Sequence, residues 1–328
     1  MIQAKNIKIE GLLNVLPKNL VKNEDLHFAS DEEKKSFIKN VGINQRFIAP
    51  KDKSMLYYLE YGCKTLLDKM EWNPKEIEIC IVVTQSGLGV LPSLAHQLQE
   101  KLQFNSKAIV FDINLGCSAW GFALFQIQQM LQAYPNNAKA ILCLGDISSQ
   151  IIHPNDPSTE FLFSDAFNFL ALQKAENANP FYYSFLNPGK GVKSIYKGLD
   201  EKSMGGMILN GLEVFQYAVS YVPPFLKEFI IQLKKENITI DALILHQANQ
   251  LINKSIINQL SEKNFKIYNS IDKFGNSGIA SIGLSLPNVY AFGPTSKNYI
   301  LTCGFGVGFS ISAMAFTWNP KIHETIKI

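Results

Sequence analysis

Arginine is almost missing from this sequence: of 31 basic residues only Arg46 is an arginine. Without guanidinium forks, bidentate clamping of guanine edges or of successive phosphates has no donors. The lysines are dispersed, and net charge is only +3, so nucleic acid is excluded as a partner. No apolar run approaches the ~20 residues of a membrane-spanning helix. The start, MIQAKNIKIEGLL, lacks the charged-then-apolar order of a secretory signal. Cys63, Cys80, Cys117, Cys143 and Cys303 form no CxxC or Cys/His pair of metal-site type. We therefore expect no metal, free thiols and a reducing cytoplasm. No GxGxxG links a first strand to a first helix, which sets aside the generic dinucleotide-binding enzyme.

What is present is apolar surface. The chain has 328 residues, 47% hydrophobic and 18% charged, enough to bury a large core and too long for one ordinary domain of ~100–200 residues. Short β-branched runs alternate with longer amphipathic ones. Strands are expected at 77–84, 108–113, 140–145 and 167–173, with helices at 94–102 (after Pro92-Ser93) and 118–134, the latter apolar on nearly every face. The pattern then repeats: a strand at 241–249, helices at 252–263 and 279–291, strands at 298–304 and 309–318. Such spacing implies βαβ crossovers, largely parallel sheets and an internal duplication. The join is expected between 171 and 240, where NPGKG (187–191), SMGGM (203–207) and VPP (222–224) break the periodicity. No long linker appears, so the halves share an interface.

Four motifs carry possible chemistry. Cys117 follows the strand AIVFDI and the turn NLG, and opens the apolar helix. A thiol there faces the positive end of the helix dipole and unpaired N–H groups, which favour thiolate and can hold an oxyanion on a carbonyl that the sulfur attacks. Alone, it reads more simply as a small buried side chain. His246 opens HQAN (246–249) at the end of the strand ALIL, and the C-terminal edge of parallel strands is where α/β folds gather ligands. By itself it is equally well explained as a capping or core histidine. In FGNSGIAS (274–281), Gly275 and Gly278 flank Asn276 just before a helix, so its amide can point into a cleft, although such an Asn ordinarily serves only the turn. CGFGVGF (303–309) permits close backbone approach to a ligand; a glycine-rich β-turn is the plainer reading.

In this order and spacing the four motifs resemble the ketoacyl-ACP synthase III family of the thiolase superfamily, over nearly the whole chain. LPKNLVKNEDL (16–26), VGINQRFIAP (41–50), VVTQSGLGVLPSLAHQLQ (82–99), DINLGCSAWGFAL (112–124) and FLFSDAFNFLAL (161–172) extend the likeness. The resemblance implies an α/β, thiolase-like five-layer αβαβα sandwich of two duplicated βαβαβαββ halves, 1–172 with the nucleophile and 173–328 with the His and Asn, paired as a homodimer. Cys117 would accept an acyl group as a thioester. His246 and Asn276 would hold the extender's thioester carbonyl and stabilise the enolate formed when malonyl loses carbon dioxide. The backbone N–H groups of Cys117 and Val307 would form the oxyanion hole. Thioester exchange followed by Claisen condensation would give a 3-oxoacyl-ACP, in fatty-acid or specialised acyl-chain biosynthesis. The resemblance implies no permanently bound cofactor. Both substrates would ride on phosphopantetheine, as acyl-ACP or acyl-CoA and malonyl-ACP, with acyl carrier protein as partner.

Several positions depart from that pattern. Members using CoA primers present a Trp and an Arg that sandwich the adenine; here those places hold Ser36-Phe37 and Asn155-Asp156-Pro157-Ser158. The Arg after HQAN is Leu251, the central GDGA is Ser164-Asp165-Ala166-Phe167, and a glycine of the last turn is Val307. These changes imply a divergent member with an unusual donor, such as an acyl carrier protein. Leu91 falls where the family inserts a side chain into the partner subunit's acyl pocket, as a gate or an ordinary interface residue. Lys254 is the candidate contact for acidic carrier residues. Two alternatives stay open: transfer of the Cys117-bound acyl group to a hydroxyl or amine, and a non-catalytic partner subunit, which would ordinarily lose the nucleophile.

Overall fold

Residues 1–26, 30–87, 89–153, 156–261, 264–292 and 299–328 are described by the structure, a computed structural model. In chain order the framework strands are β1 (Ile2–Ala4), β2 (Ile7–Leu16), β3 (Ile77–Val83), β4 (Ile109–Ile113), β5 (Lys139–Asp146), β6 (Ala166–Lys174), β7 (Phe181–Leu186), β8 (Ile240–Leu245), β9 (Lys266–Ile267), β10 (Tyr299–Gly306), β11 (Ser310–Thr317) and β12 (Ile322–Lys327). The principal helices are α1 (Met55–Met70), α2 (Leu94–Leu102), α3 (Ala119–Leu131), α4 (Gly211–Lys235), α5 (Gln250–Gln259) and α6 (Ser281–Ser285).

The strands make two six-stranded sheets, in the orders β12-β2-β6-β5-β3-β4 and β1-β7-β11-β10-β8-β9. In each, three parallel strands (β5-β3-β4 and β10-β8-β9) meet an antiparallel neighbour at one side, so the two sheets share one strand plan apart from their outermost pair, parallel for β12–β2 and antiparallel for β1–β7. The termini are exchanged. β1 pairs with β7 in the second sheet, and β12 pairs with β2 in the first.

Hydrophobic periodicity sets the layers. On α1, Tyr58, Leu59, Cys63, Leu66 and Leu67 recur at helical spacing and pack with α2 on the outer face of the first sheet. α4 and α5 cover the second sheet through Val222, Leu226, Ile252 and Ile256. Between the sheets lie α3, with Trp120, Leu124 and Ile127 fully buried, and α6, with Ile282. Each such aliphatic side chain contributes about 1.5–3 kcal/mol by leaving water. The result is the expected αβαβα sandwich.

Six elements differ from the periodicity reading. α4 runs through Pro223 and Pro224 for 25 residues, where VPP reads as a break. The Val219 carbonyl, which Pro223 cannot bond, accepts from Gln259 Nε2 of α5 at 3.2 Å. The helix expected over 279–291 is α-helical only for Ser281–Ser285 and continues as 3₁₀ turns over Leu286–Phe292. Pro287 cannot donate to the Gly283 carbonyl, which accepts instead from Asn14 Nδ2 of the other half at 3.0 Å. β2, α1, β7 and β12 were not legible from periodicity; they supply the outer strand and first helix that complete each half.

Candidate active site

The strand order of each sheet places β5 and β3, or β10 and β8, centrally, and their C-terminal ends converge on a cavity of about 90 Å³ lined by Cys117, His246 and Asn276. All three are buried, at 8%, 2% and 7% exposure, so water reaches them only through that cavity. The structure thus brings together the three residues the motifs single out.

Cys117 precedes α3, whose first turn closes through Ala119 N–H to the Gly116 carbonyl at 2.8 Å. Ser312 donates its hydroxyl to the Ser118 carbonyl at 2.6 Å, and the Ser118 and Ser310 hydroxyls pair at 2.6 Å, tying this end to β11. The glycines of β10 permit the close approach. A Cβ on Gly304 would fall 2.5 Å from the Cys117 carbonyl oxygen, and one on Gly306 would fall 2.9 Å from Cys117 Cβ. Burial, then the nearby Asp146 carboxyl, pushes the Cys117 thiol up to about 12, although the backbone N–H groups of Cys117 and Val307 pull the other way. Helix-end position alone suggests a thiolate; desolvation outweighs it.

His246 caps β8, its N–H bonded to the Cys303 carbonyl of β10 at 2.8 Å. Its Nδ1 lies 2.8 Å from Ser281 Oγ, which also accepts from Gln247 N–H at 3.2 Å. Among the described residues Nδ1 is the partner left for the Ser281 proton, so Ser281 donates to Nδ1 and the ring proton sits on Nε2. Burial lowers the imidazole to about 3, against the Gly278 carbonyl, so the ring is neutral near pH 7. Asn276 Oδ1 accepts from Gly278 N–H at 3.1 Å, and Nδ2 donates one hydrogen to the Ala248 carbonyl at 3.2 Å. An amide nitrogen has two hydrogens; the second is free for a ligand. The backbone of Asn276 is held by the 161–165 loop through Ser164 N–H to its carbonyl (2.9 Å) and its own N–H to Leu162 (3.0 Å). The cavity therefore gathers one thiol, a neutral imidazole and an amide with a spare hydrogen, a set suited to acyl transfer through sulfur without a strong base.

Three residues escape the motif reading. Ser281 contacts His246 across 35 positions, which no local pattern encodes. Asp146 ends the apolar run AILCLGD, a buried carboxyl whose Oδ1 accepts from Thr84 Oγ1 and from the N–H groups of Gln85 and Ser86 at 2.7–2.9 Å; burial raises it. A carboxylate closing an apolar strand was the available signal. Gln85 lines the same cavity. Arg46, the lone arginine, is buried and ties the 160–163 loop by donating to the Glu160 carbonyl at 2.5 Å and to Asn23 Oδ1 at 2.9 Å.

The remaining expectations lie apart from this centre. Leu91 stands 94% exposed and lines no wall of its own chain's Cys117 cavity. Lys254 is exposed on α5, its Nζ 3.3 Å from the Gln250 amide oxygen once that amide is oriented to donate to the Lys39 carbonyl. Phe37 meets Phe161 edge-on at 5.9 Å, beside the helix Pro157–Glu160 capped by Asp156, so the two places of an adenine sandwich are adjacent but the ring packs on the protein. Asn155 falls outside the described residues. Among the described residues no group of three or more His, Cys, Asp or Glu could hold a metal ion, no helix is long and apolar enough to cross a membrane, and all five cysteines are free.

Sequence models of the 3-oxoacyl-[acyl-carrier-protein] synthase III family match residues 111–186, and its C-terminal model matches residues 232–318. The beta-ketoacyl-[acyl-carrier-protein] synthase III of Trichodesmium erythraeum is 27% identical over 330 residues, covering 95% of this chain and 98% of that protein. That of Acholeplasma laidlawii is 29% identical over 321 residues, covering 96% and 97%. The crystal structure of a 3-oxoacyl-(acyl-carrier protein) synthase from Burkholderia xenovorans superposes with a TM-score of 0.91 at 25% identity, covering 100% of this chain and 98% of that one.

Proposed function

The chain is a divergent, ketoacyl-ACP synthase III-like member of the thiolase superfamily, and from that premise we propose that it is a condensing acyltransferase working through Cys117. In the first step the Cys117 sulfur attacks the donor thioester carbonyl. The bond to the donor's pantetheine sulfur breaks, and that sulfur leaves with the cysteine's proton, so no net proton is exchanged. In the second, malonyl-ACP takes the cavity with its thioester carbonyl on His246 Nε2–H and the free Asn276 Nδ2 hydrogen. Loss of carbon dioxide leaves an enolate on that oxygen, and its carbon attacks the Cys117 acyl group. The 3-oxoacyl-ACP departs, and the sulfur regains a proton. The N–H groups of Cys117 and Val307 hold the oxyanion in both attacks.

The observation that carries this reading is the 90 Å³ cavity that gathers the Cys117 sulfur, a neutral His246 and an Asn276 amide with one hydrogen to spare. Acyl carrier protein and its phosphopantetheine are the partners this implies, with Lys254, exposed on α5, for acidic carrier residues, and the five free cysteines accord with a reducing cytoplasm. We place Leu91 in the acyl pocket of a second copy, as its exposure suits. His246→Ala and Asn276→Ala are expected to accept acyl groups on Cys117 yet release carbon dioxide from malonyl-ACP ~10²–10³-fold more slowly, the effect of one lost oxyanion donor. Decarboxylation at wild-type rates in both variants would replace condensation by acyl transfer to oxygen or nitrogen.

A further inference from the structure

Behind Val307 a second chamber of about 430 Å³ adjoins the one holding Cys117. The two share Gln85, Ile151, Ile195, Met207 and Val307 as a common wall. At ~30 Å³ per water-sized unit the second chamber far exceeds a two-carbon acyl group. Its wall is mixed: Ile151, Ile195 and Met207 suit a carbon chain, while Gln85, Ser86, Asn114 and Tyr196 are polar.

Two of those four polar groups already have partners, and Asn114 is exposed to solvent. Ser86 Oγ accepts from Ile147 N–H at 2.8 Å, and the Tyr196 hydroxyl donates to Asp200 at 3.0 Å. Gln85 does not. Its backbone N–H is bonded to Asp146, but among the described residues no hydrogen bond engages its carboxamide. That carboxamide is half-buried and rests against Gly116, the neighbour of Cys117, where an added Cβ would fall 2.6 Å from Oε1. It therefore stands at the seam of the two chambers, close to the first atoms of any group attached to the sulfur. A plain alkyl chain lying there would strip water from the carboxamide and return no hydrogen bond, whereas an oxygen substituent would pair with it.

We propose that the second chamber receives the acyl group carried on Cys117, and that Gln85 makes the site select hydroxy- or oxo-substituted acyl thioesters over alkyl thioesters of equal length. The inference rests on Cys117 being the acyl acceptor. An anionic acyl terminus is disfavoured as the selected feature, because Lys197, the one cation lining this chamber among the described residues, is exposed and its charge screened by solvent.

Matched donors decide it. Loading of Cys117 is followed by intact-mass spectrometry with butyryl-, 3-hydroxybutyryl- and succinyl-ACP at equal concentration, on the wild-type chain and on Gln85→Met, which keeps the shape and removes the amide. The hydroxylated donor is expected to load at least about tenfold faster than butyryl-ACP, one hydrogen bond's worth, and Gln85→Met to bring the ratio to about one. Equal loading of the two neutral donors by the wild-type chain, fastest loading by succinyl-ACP, or a ratio unchanged in Gln85→Met would each overturn the selection. The wild-type comparison stands whether or not the variant folds. If no donor loads Cys117 while iodoacetamide still alkylates it, the acyl-enzyme reading itself falls, and this inference with it.

Discussion

Ser281→Ala tests the site at the point where its chemistry depends on a single proton. The Ser281 hydroxyl accepts from Gln247 N–H and donates to His246 Nδ1, at 3.2 and 2.8 Å, in a pocket where Ser281 is 1% exposed. Removing it leaves a buried N–H and a buried ring nitrogen unpaired, each costing ~1–3 kcal/mol, so the variant should lose about 2–6 kcal/mol from a stability of ~5–15. The catalytic effect is separate. With no donor at Nδ1, the ring is free to carry its proton there instead of on Nε2. Nε2 would then present a lone pair where the proposed enolate needs a hydrogen, and the loss should approach the ~10²-fold of one missing oxyanion donor. The assay pairs carbon dioxide release from malonyl-ACP with acylation of Cys117 by intact mass, and ¹⁵N-histidine NMR reads the tautomer directly. We expect decarboxylation to fall ~10²-fold, acylation to stay within about twofold, and the His246 signal to move from Nε2–H toward Nδ1–H. Unchanged decarboxylation with an unchanged tautomer, or equal loss of both half-reactions, would refute the reasoning.

Three further outcomes follow from the same geometry. Because the Cys117 thiol is raised to about 12, its alkylation by iodoacetamide should accelerate about tenfold per pH unit from pH 7 to 10; a plateau below pH 8 would place the thiolate much lower. Gly304→Ala drives a Cβ to 2.5 Å from the Cys117 carbonyl, so it should cost about 1–3 kcal/mol by overpacking and slow acylation, and a melting temperature and loading rate equal to wild type would mean that the β10–α3 contact yields easily. Phe37 is engaged with Phe161 and no arginine faces it, so acyl-ACP should load Cys117 at least about tenfold faster than the matching acyl-CoA, given ~1–3 kcal/mol per base stack, with salt narrowing the gap; parity at low salt would show that the adenine is held elsewhere.

Residue patterns revealed the central parallel strands and the catalytic candidates because each depends on local chemistry: β-branched runs, helix ends, glycines before turns. α2 occupies the residues its periodicity predicts, Leu94–Leu102. What stayed hidden depends on partners distant in sequence. The proline pair of α4 is tolerated because Gln259 satisfies a carbonyl from a different helix, and Asn14 does the same for Gly283 across the two halves. Ser281 gains its role only when α6 is placed beside β8. For Cys117 the helix end is visible in sequence, whereas the depth of burial and the nearby Asp146 carboxyl, which raise the thiol, are properties of the assembled core.

The exchange of terminal strands has a consequence for how the chain is made. Synthesis delivers β2 early and its edge partner β12 after every other framework strand, so through most of translation one flank of the first sheet offers an unpaired ladder of N–H and C=O groups. β12 is short and charged, IHETIK, and its arrival both closes that flank and fastens the second half's chain end to the first. A tag or deletion that delays this pairing therefore acts less on the catalytic cavity than on the interval during which β2 is open to a wrong partner, including the β2 of another nascent copy.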